Sequence, residues 1–296
     1  MRSPSFKEWL GAARLRTLPL ALSSIILAGF LAAYKGLFDW KIFILAFLTT
    51  VSLQVLSNFA NDYGDSQNGA DSKDRIGPAR AVQAGVISQK QMLGAVKVFV
   101  VISLILGLTL IFVSFGGFTS NFFIFLTIGI MAIMAAYFYT AGSRPYGYVG
   151  LGDLSVFIFF GLVGVLGSYY LYAKTFDPDI ILPAVACGLL ATGVLNINNI
   201  RDLESDKSTG KHTIPVKLGR KNALIYHWVL LSGSIFSILI FAFMQEKVSY
   251  YYLLSFPLII INGIQVSKNS NPDAYLKTLA LTSLATVLML GFSLIY

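Results

Sequence analysis

Two stretches of this 296-residue chain set side chains of one kind at one spacing. The first, "NFANDYGDSQNGADSKDRIGPARAVQAG", carries Asn61 and Asp65 four residues apart. The second, "NINNIRDLESDKSTGKHTIPVKLG", carries Asn198, Asp202 and Asp206 at i, i+4 and i+8. Residues four apart share a helix face, so each stretch aligns an amide with carboxylates. Carboxylates so placed repel one another unless a cation sits among them. Hard oxygen donors open to phosphate suit magnesium, which keeps several waters and takes one or two carboxylates plus phosphate oxygens. Bases follow each set: Arg75 and Arg80 after the first, Lys207, Lys211 and Lys217 after the second. Carboxylates for a metal, with cations for the oxygens the metal leaves free, are what a magnesium diphosphate requires. Glu204 falls off the Asp202–Asp206 face and is left out of the metal set.

The elements that must position these residues follow from composition. The chain is 56% hydrophobic and only 12% charged, with a mean hydropathy of +0.72. A soluble chain carries about a quarter charged residues. The apolar residues fall in runs of membrane-helix length rather than in the short alternating segments of a barrel. The expectation is an all-α polytopic membrane protein, a single domain over residues 1–296. Nine spans are expected, at about 17–34, 41–61, 92–114, 120–139, 152–173, 179–200, 223–244, 250–266 and 276–296. The eighth is the shortest and carries Pro257, so a kink is expected there. The stretch "MRSPSFKEWLGAARLR" before the first span is basic and amphipathic, so that span reads as a membrane helix and not as a cleaved signal peptide.

With the N-terminus in the cytoplasm, 18 of the 22 Lys and Arg face that side and four face the other. The net charge of +8 therefore calls for no nucleic acid. The loops after spans two and six lie on the same side and hold seven of the 14 acids and ten of the 22 bases. No G-x-x-x-x-G-K-[ST] loop is present, and "GYVGLGD" lacks the third glycine and preceding strand of a dinucleotide fingerprint. Cys187, the only cysteine, lies inside span six and reads as packing. A cation-coupled transporter would hold its acids near mid-span, whereas these sit at span ends. A passive scaffold gives no reason for two matched stripes.

Three segments, "NDYGD", "NNIRDLESD" and "YTAGSRPYGYVGLGD", resemble the UbiA-type intramembrane aromatic prenyltransferases, specifically the branch that prenylates 1,4-dihydroxy-2-naphthoate. The likeness begins at "ARLRTLPLA" and covers about two-thirds of the chain. It implies helices around a central cavity open sideways to lipid, with both acidic motifs at its cytoplasmic mouth, in a bacterial inner membrane. It further implies a polyprenyl diphosphate donor and Mg2+ held by Asn61, Asp65, Asp202 and Asp206. Two departures stand out: Gly69 occupies the place of an acid in many relatives, the next acid being Asp71, and Lys217 stands where an arginine is expected.

Under that resemblance Asp65 and Asp202 are the catalytic carboxylates. Arg75, Arg80 and Lys211, with Asn198 one turn before Asp202, bind the diphosphate. Tyr139 and Tyr146 could shelter an allylic cation. Arg144 could hold the carboxylate of the acceptor or simply mark the cytoplasmic side, and Asp153 could orient a hydroxyl or cap a helix N-terminus. Tyr148 is expected as an interfacial anchor, and Arg14 and Arg16 at the membrane surface, with substrate contact as the alternative because they adjoin "TLPLA". His212 is expected to be solvated, since decarboxylation lessens the need for a base. Another aromatic acceptor or a phytyl donor is the alternative.

Overall fold

The structure, a computed structural model, describes residues 4–69 and 80–296. Helix α1 (Phe6–Ala13) starts at a capping box in which Ser5 and Glu8 bond each other's backbone N–H. Then come α2 (Leu18–Tyr34), α3 (Trp40–Gln67), α4 (Gln89–Phe115) and α5 (Ser120–Phe138). The fifth span, Gly152–Ala173, is composite: α6 (Gly152–Val156), a π-helix over Phe157–Gly167, and α7 (Ser168–Ala173). Beyond it lie α8 (Ile181–Arg201), the short α9 (Leu203–Ser208), α10 (Ile214–Met244), α11 (Ser255–Lys268) and α12 (Asp273–Ile295). Among the described residues nine helical segments are long and apolar enough to cross a membrane. They match the nine expected spans.

Pro257 does not kink its helix. A 3-10 turn over Tyr250–Leu254 leads into α11, which places Pro257 in the first helical turn. The N–H that proline lacks would have no intrahelical partner there, so nothing is broken.

Packing explains where the cavity lies. One apolar cluster joins Leu31 of α2, Ile42 of α3, Ile111 of α4, Phe122 of α5, Ile180, Ala184 of α8, Phe241 of α10 and Leu290 of α12. In an up-and-down bundle all of these fall at the end opposite the acidic stripes. At the stripe end the packing divides. Leu56, Phe59, Ile87, Met92 and Ala141 back the end of α3, while Ile197, Leu231, Ile259 and Leu279 back the end of α8. The helices thus converge on one core at one end and separate into two at the other. The space between the two holds a cavity of about 740 Å³.

Candidate active site

The first stripe rides on continuous helix. Asn61, Asp62 and Asp65 all lie within α3, and Asn61 and Asp65 face the cavity. Gly64 sits between them for a steric reason: a Cβ there would stand 2.5 Å from the backbone of Thr140 and Ala141. That close approach lets Thr140 Oγ1 donate to the Asn61 side-chain oxygen, at 3.2 Å. Asp62 points elsewhere and accepts from the backbone N–H groups of Ala81 (3.0 Å) and Val82 (3.3 Å). It thereby fixes the strand of chain that carries Arg80, so its neighbour rather than its own carboxylate reaches the site.

Asp65 is fully buried and gathers partners from three loops. The Arg80 guanidinium pairs with it and also donates to the Asn61 backbone carbonyl. Lys211 Nζ lies 3.4 Å from its Oδ1, and the Tyr148 hydroxyl donates to the same oxygen.

The second stripe is broken. Helix α8 ends at Arg201, and Asp202 leaves helical geometry before α9 begins. The break costs no alignment, because the Asp206 N–H still donates to the Asp202 carbonyl at 2.7 Å. After α9, Gly210 adopts φ +74, and the Lys211 and Gly210 N–H groups bond the Asp206 and Lys207 carbonyls. This is a Schellman turn with glycine at its left-handed position. It folds Lys211 back over its own helix, 3.7 Å from Asp206 and 3.4 Å from Asp65. One ammonium therefore links the two stripes, which are brought together at one cavity.

Of the other expected residues, Tyr139 and Tyr146 line the cavity with ring centroids 5.4 Å apart at 84°. Tyr146 donates its one O–H to the Ala135 carbonyl at 2.8 Å and accepts from Ser155 Oγ at 2.9 Å. Burial pushes its phenol above the ordinary value, so the ring stays neutral. Arg75 lies outside the described residues. Arg144 is exposed in the turn before Pro145 and does not line the cavity. Tyr148 is no interfacial anchor: Lys211 sits 4.7 Å above its ring while its hydroxyl reaches Asp65. Lys217 is spent on the Val149 carbonyl at 2.7 Å. Asp153 is buried and accepts from Tyr226 at 3.0 Å. His212 is exposed.

Three residues carry more of the site than their sequence context disclosed. Arg201 is buried and donates to both oxygens of Asp202, at 2.8 and 2.6 Å, and to Asn198 at 2.9 Å. The helical i, i+3 relation to Asn198 was the available signal. Tyr148 had only its place in "RPYGYVGLGD". Arg14 lines the cavity in a left-handed conformation, φ 48. Its carbonyl accepts from Thr17, which in turn accepts from Gln54 and Asn58, both at 3.1 Å.

The donor set fits magnesium. Among the described residues no three acids converge into a ready-made metal cage. The carboxylate and amide oxygens instead face each other across one cavity, the arrangement for an ion that keeps waters and shares phosphate oxygens. Asn61, Asp65, Asn198, Asp202 and Asp206 could hold it, with Arg80 and Lys211 beside them.

Residues 22–285 match the UbiA prenyltransferase family. The chain is 46% identical over 270 residues to the 1,4-dihydroxy-2-naphthoate octaprenyltransferase of Escherichia coli, covering 90% of this chain and 87% of that one. It is 44% identical to the enzyme of that name from Haemophilus influenzae, over 98% of this chain and 95% of that one. A UbiA homolog from Archaeoglobus fulgidus, solved with DMAPP and Mg2+, shares the fold at a TM-score of 0.62 and 19% identity, over 95% of this chain and 98% of that one. By family match and by relatives, the chain belongs to the UbiA prenyltransferase family.

Proposed function

We propose that this protein transfers a polyprenyl group from its diphosphate to 1,4-dihydroxy-2-naphthoate, with loss of carbon dioxide and diphosphate, giving demethylmenaquinol. The observation that carries the reading is the convergence of both Asn/Asp stripes on one cavity whose walls turn apolar away from the mouth. A diphosphate head fits the stripes and a prenyl tail fits the walls. The naphthoate acceptor rests on the relatives of 46% and 44% identity.

Magnesium held by Asn61, Asp65, Asp202 and Asp206 would supply Lewis acidity that neutralises the diphosphate and makes it a leaving group. Arg80 and Lys211 move from Asp65 to the diphosphate oxygens and stabilise the departing charge. The bond between the allylic carbon and oxygen breaks with its electron pair going to diphosphate. Tyr139 and Tyr146 present ring faces to the allylic cation. The acceptor ring attacks that carbon, and loss of its carboxylate as carbon dioxide restores aromaticity, so no base need remove a ring proton. Arg14, inside the cavity, holds the acceptor carboxylate. In this reading the membrane is a bacterial inner membrane and the mouth faces the cytoplasm, a side supported by the excess of Lys and Arg in the loops there.

The test uses protein purified in detergent with 1,4-dihydroxy-2-naphthoate and a radiolabelled polyprenyl diphosphate, with and without magnesium. Magnesium-dependent prenylated naphthol with release of carbon dioxide is expected. Product with 4-hydroxybenzoate or homogentisate alone would reject the acceptor. Equal turnover after chelation would reject the metal.

A further inference from the structure

Arg201 touches every polar group of the second stripe's first turn yet does not line the cavity. The cavity is lined by Asn198, Asp202 and Asp206, and the arginine lies behind them, 5% exposed. Its fourth bond leaves the stripe altogether: Nη1 donates to Asp273 Oδ1 at 2.5 Å, 72 residues away in the first turn of α12. We propose that Arg201 is a positioning residue for the metal-holding carboxylate of Asp202, and that Asp273 sets both its orientation and its charge. The proposal rests on the magnesium reading above.

Geometry and charge point the same way. A guanidinium is a rigid planar fork, so bonds from Nε and Nη2 to the two oxygens of Asp202 fix the plane of that carboxylate. Each carboxylate oxygen carries two lone pairs, and the bond to Arg201 uses one of them. The carboxylate also sits at the C-terminal end of α8, where the helix dipole adds negative charge, so a buried anion there needs a nearby cation. A lone arginine would overcorrect by cancelling the charge a metal needs. With Asp273 as second partner, Asp202, Arg201 and Asp273 sum to one negative charge. Asp273 also holds the guanidinium on the side away from the substrate.

Charge alone and positioning make opposite predictions for Arg201→Gln. Removing a cation beside a metal ligand tightens divalent binding on Coulombic grounds, whereas losing the support of the ligand weakens it. The measurement is an electron paramagnetic resonance titration of Mn2+ with inorganic diphosphate on the full chain in detergent. Arg201→Gln is expected to weaken Mn2+ binding by about tenfold to a hundredfold, the usual loss for a supporting partner of a ligand. Arg201→Lys, which keeps charge without the fork, is expected to restore little. Asp273→Asn is expected to weaken it by roughly twofold to fivefold, as a partly exposed pair would. The double variant should be no weaker than Arg201→Gln, because Asp273 acts through the arginine. Unchanged or tighter binding in Arg201→Gln overturns the proposal. Should that variant not fold, wild-type affinity in Asp273→Asn overturns it equally. A wild type that fails to bind Mn2+ rejects the metal reading itself, before any variant is compared.

Discussion

The two acidic stripes read alike in the sequence, but their charges are balanced by opposite means. Asp65 depends on partners farther along the chain: Arg80, Tyr148 83 residues on and Lys211 146 residues on. Among the described residues Asp202 is served by its immediate neighbour, Arg201, and the outer anchor of that arginine, Asp273, is distant. The first stripe keeps its helix and borrows its cations. The second breaks its helix and brings its own. The same donor set is thus assembled once by tertiary folding and once by local geometry, which leaves the first more exposed to any change in the surrounding loops.

The largest effects test whether both stripes serve one reaction. Asp65→Asn and Asp202→Asn should each lower turnover by about a thousandfold or more, because each removes several kcal/mol of charge stabilisation. Their thermal melts in detergent should differ. Asp65→Asn leaves Arg80 and Lys211 without their shared anion, and breaking a buried pair costs about 3–5 kcal/mol. Asp202→Asn leaves Arg201 still bonded to Asp273 and Asn198. Equal melting losses would erase the distinction between borrowed and local charge.

Gly64→Ala should strike the first stripe alone. The new methyl would overlap the Thr140–Ala141 backbone, and relieving it displaces the segment that leads to Tyr139 and Tyr148. A misplacement on the order of 1 Å costs roughly a hundredfold in rate, and the overpacking about 1–3 kcal/mol of stability. Divalent binding that is lost entirely, rather than weakened, would show the second stripe to be equally disturbed. Tyr148→Phe is milder. It removes one hydrogen bond to a charged carboxylate, worth about 1.5–3 kcal/mol, so kcat/KM should fall by roughly tenfold or somewhat more. Unchanged kinetics would mean that Arg80 and Lys211 suffice for Asp65.

What was legible in the sequence follows the same divide. Nine spans and both stripes could be read, because hydrophobic runs and i, i+4 spacing are local properties. Arg80 and Lys211 could be read only as bases that follow the stripes and not as partners of Asp65. Asp62 could not be told from Asp65 by residue type; only the fold shows that its oxygens are taken by Ala81 and Val82. The break at Asp202 was hidden because the backbone keeps an i, i+4 bond across it. Asp273 carried no signal, since nothing in α12 marks it as the partner of a residue 72 positions earlier.

The smallest expected effect separates two arginines that sequence could not rank. Arg144 is the only base between spans four and five, so it could hold the acceptor carboxylate or merely mark the cytoplasmic side. In the fold it is exposed and outside the cavity, whereas Arg14 lines it. An exposed side chain without a partner in the site contributes within about 0.5 kcal/mol, so Arg144→Gln should change the KM for 1,4-dihydroxy-2-naphthoate by about twofold at most. Arg14→Gln should raise that KM by roughly tenfold, the worth of a charge-assisted hydrogen bond, and leave the KM for the diphosphate nearly unchanged. The Arg14 carbonyl is held by Thr17, which is bonded in turn by Gln54 and Asn58 on the α3 wall, about two turns and less than one turn of helix before Asn61. That wall lies beside the first stripe, so the acceptor would be held on the side where Asp65 borrows its cations. A tenfold rise in acceptor KM for Arg144→Gln, with none for Arg14→Gln, would move the acceptor to the 142–145 turn and away from that wall.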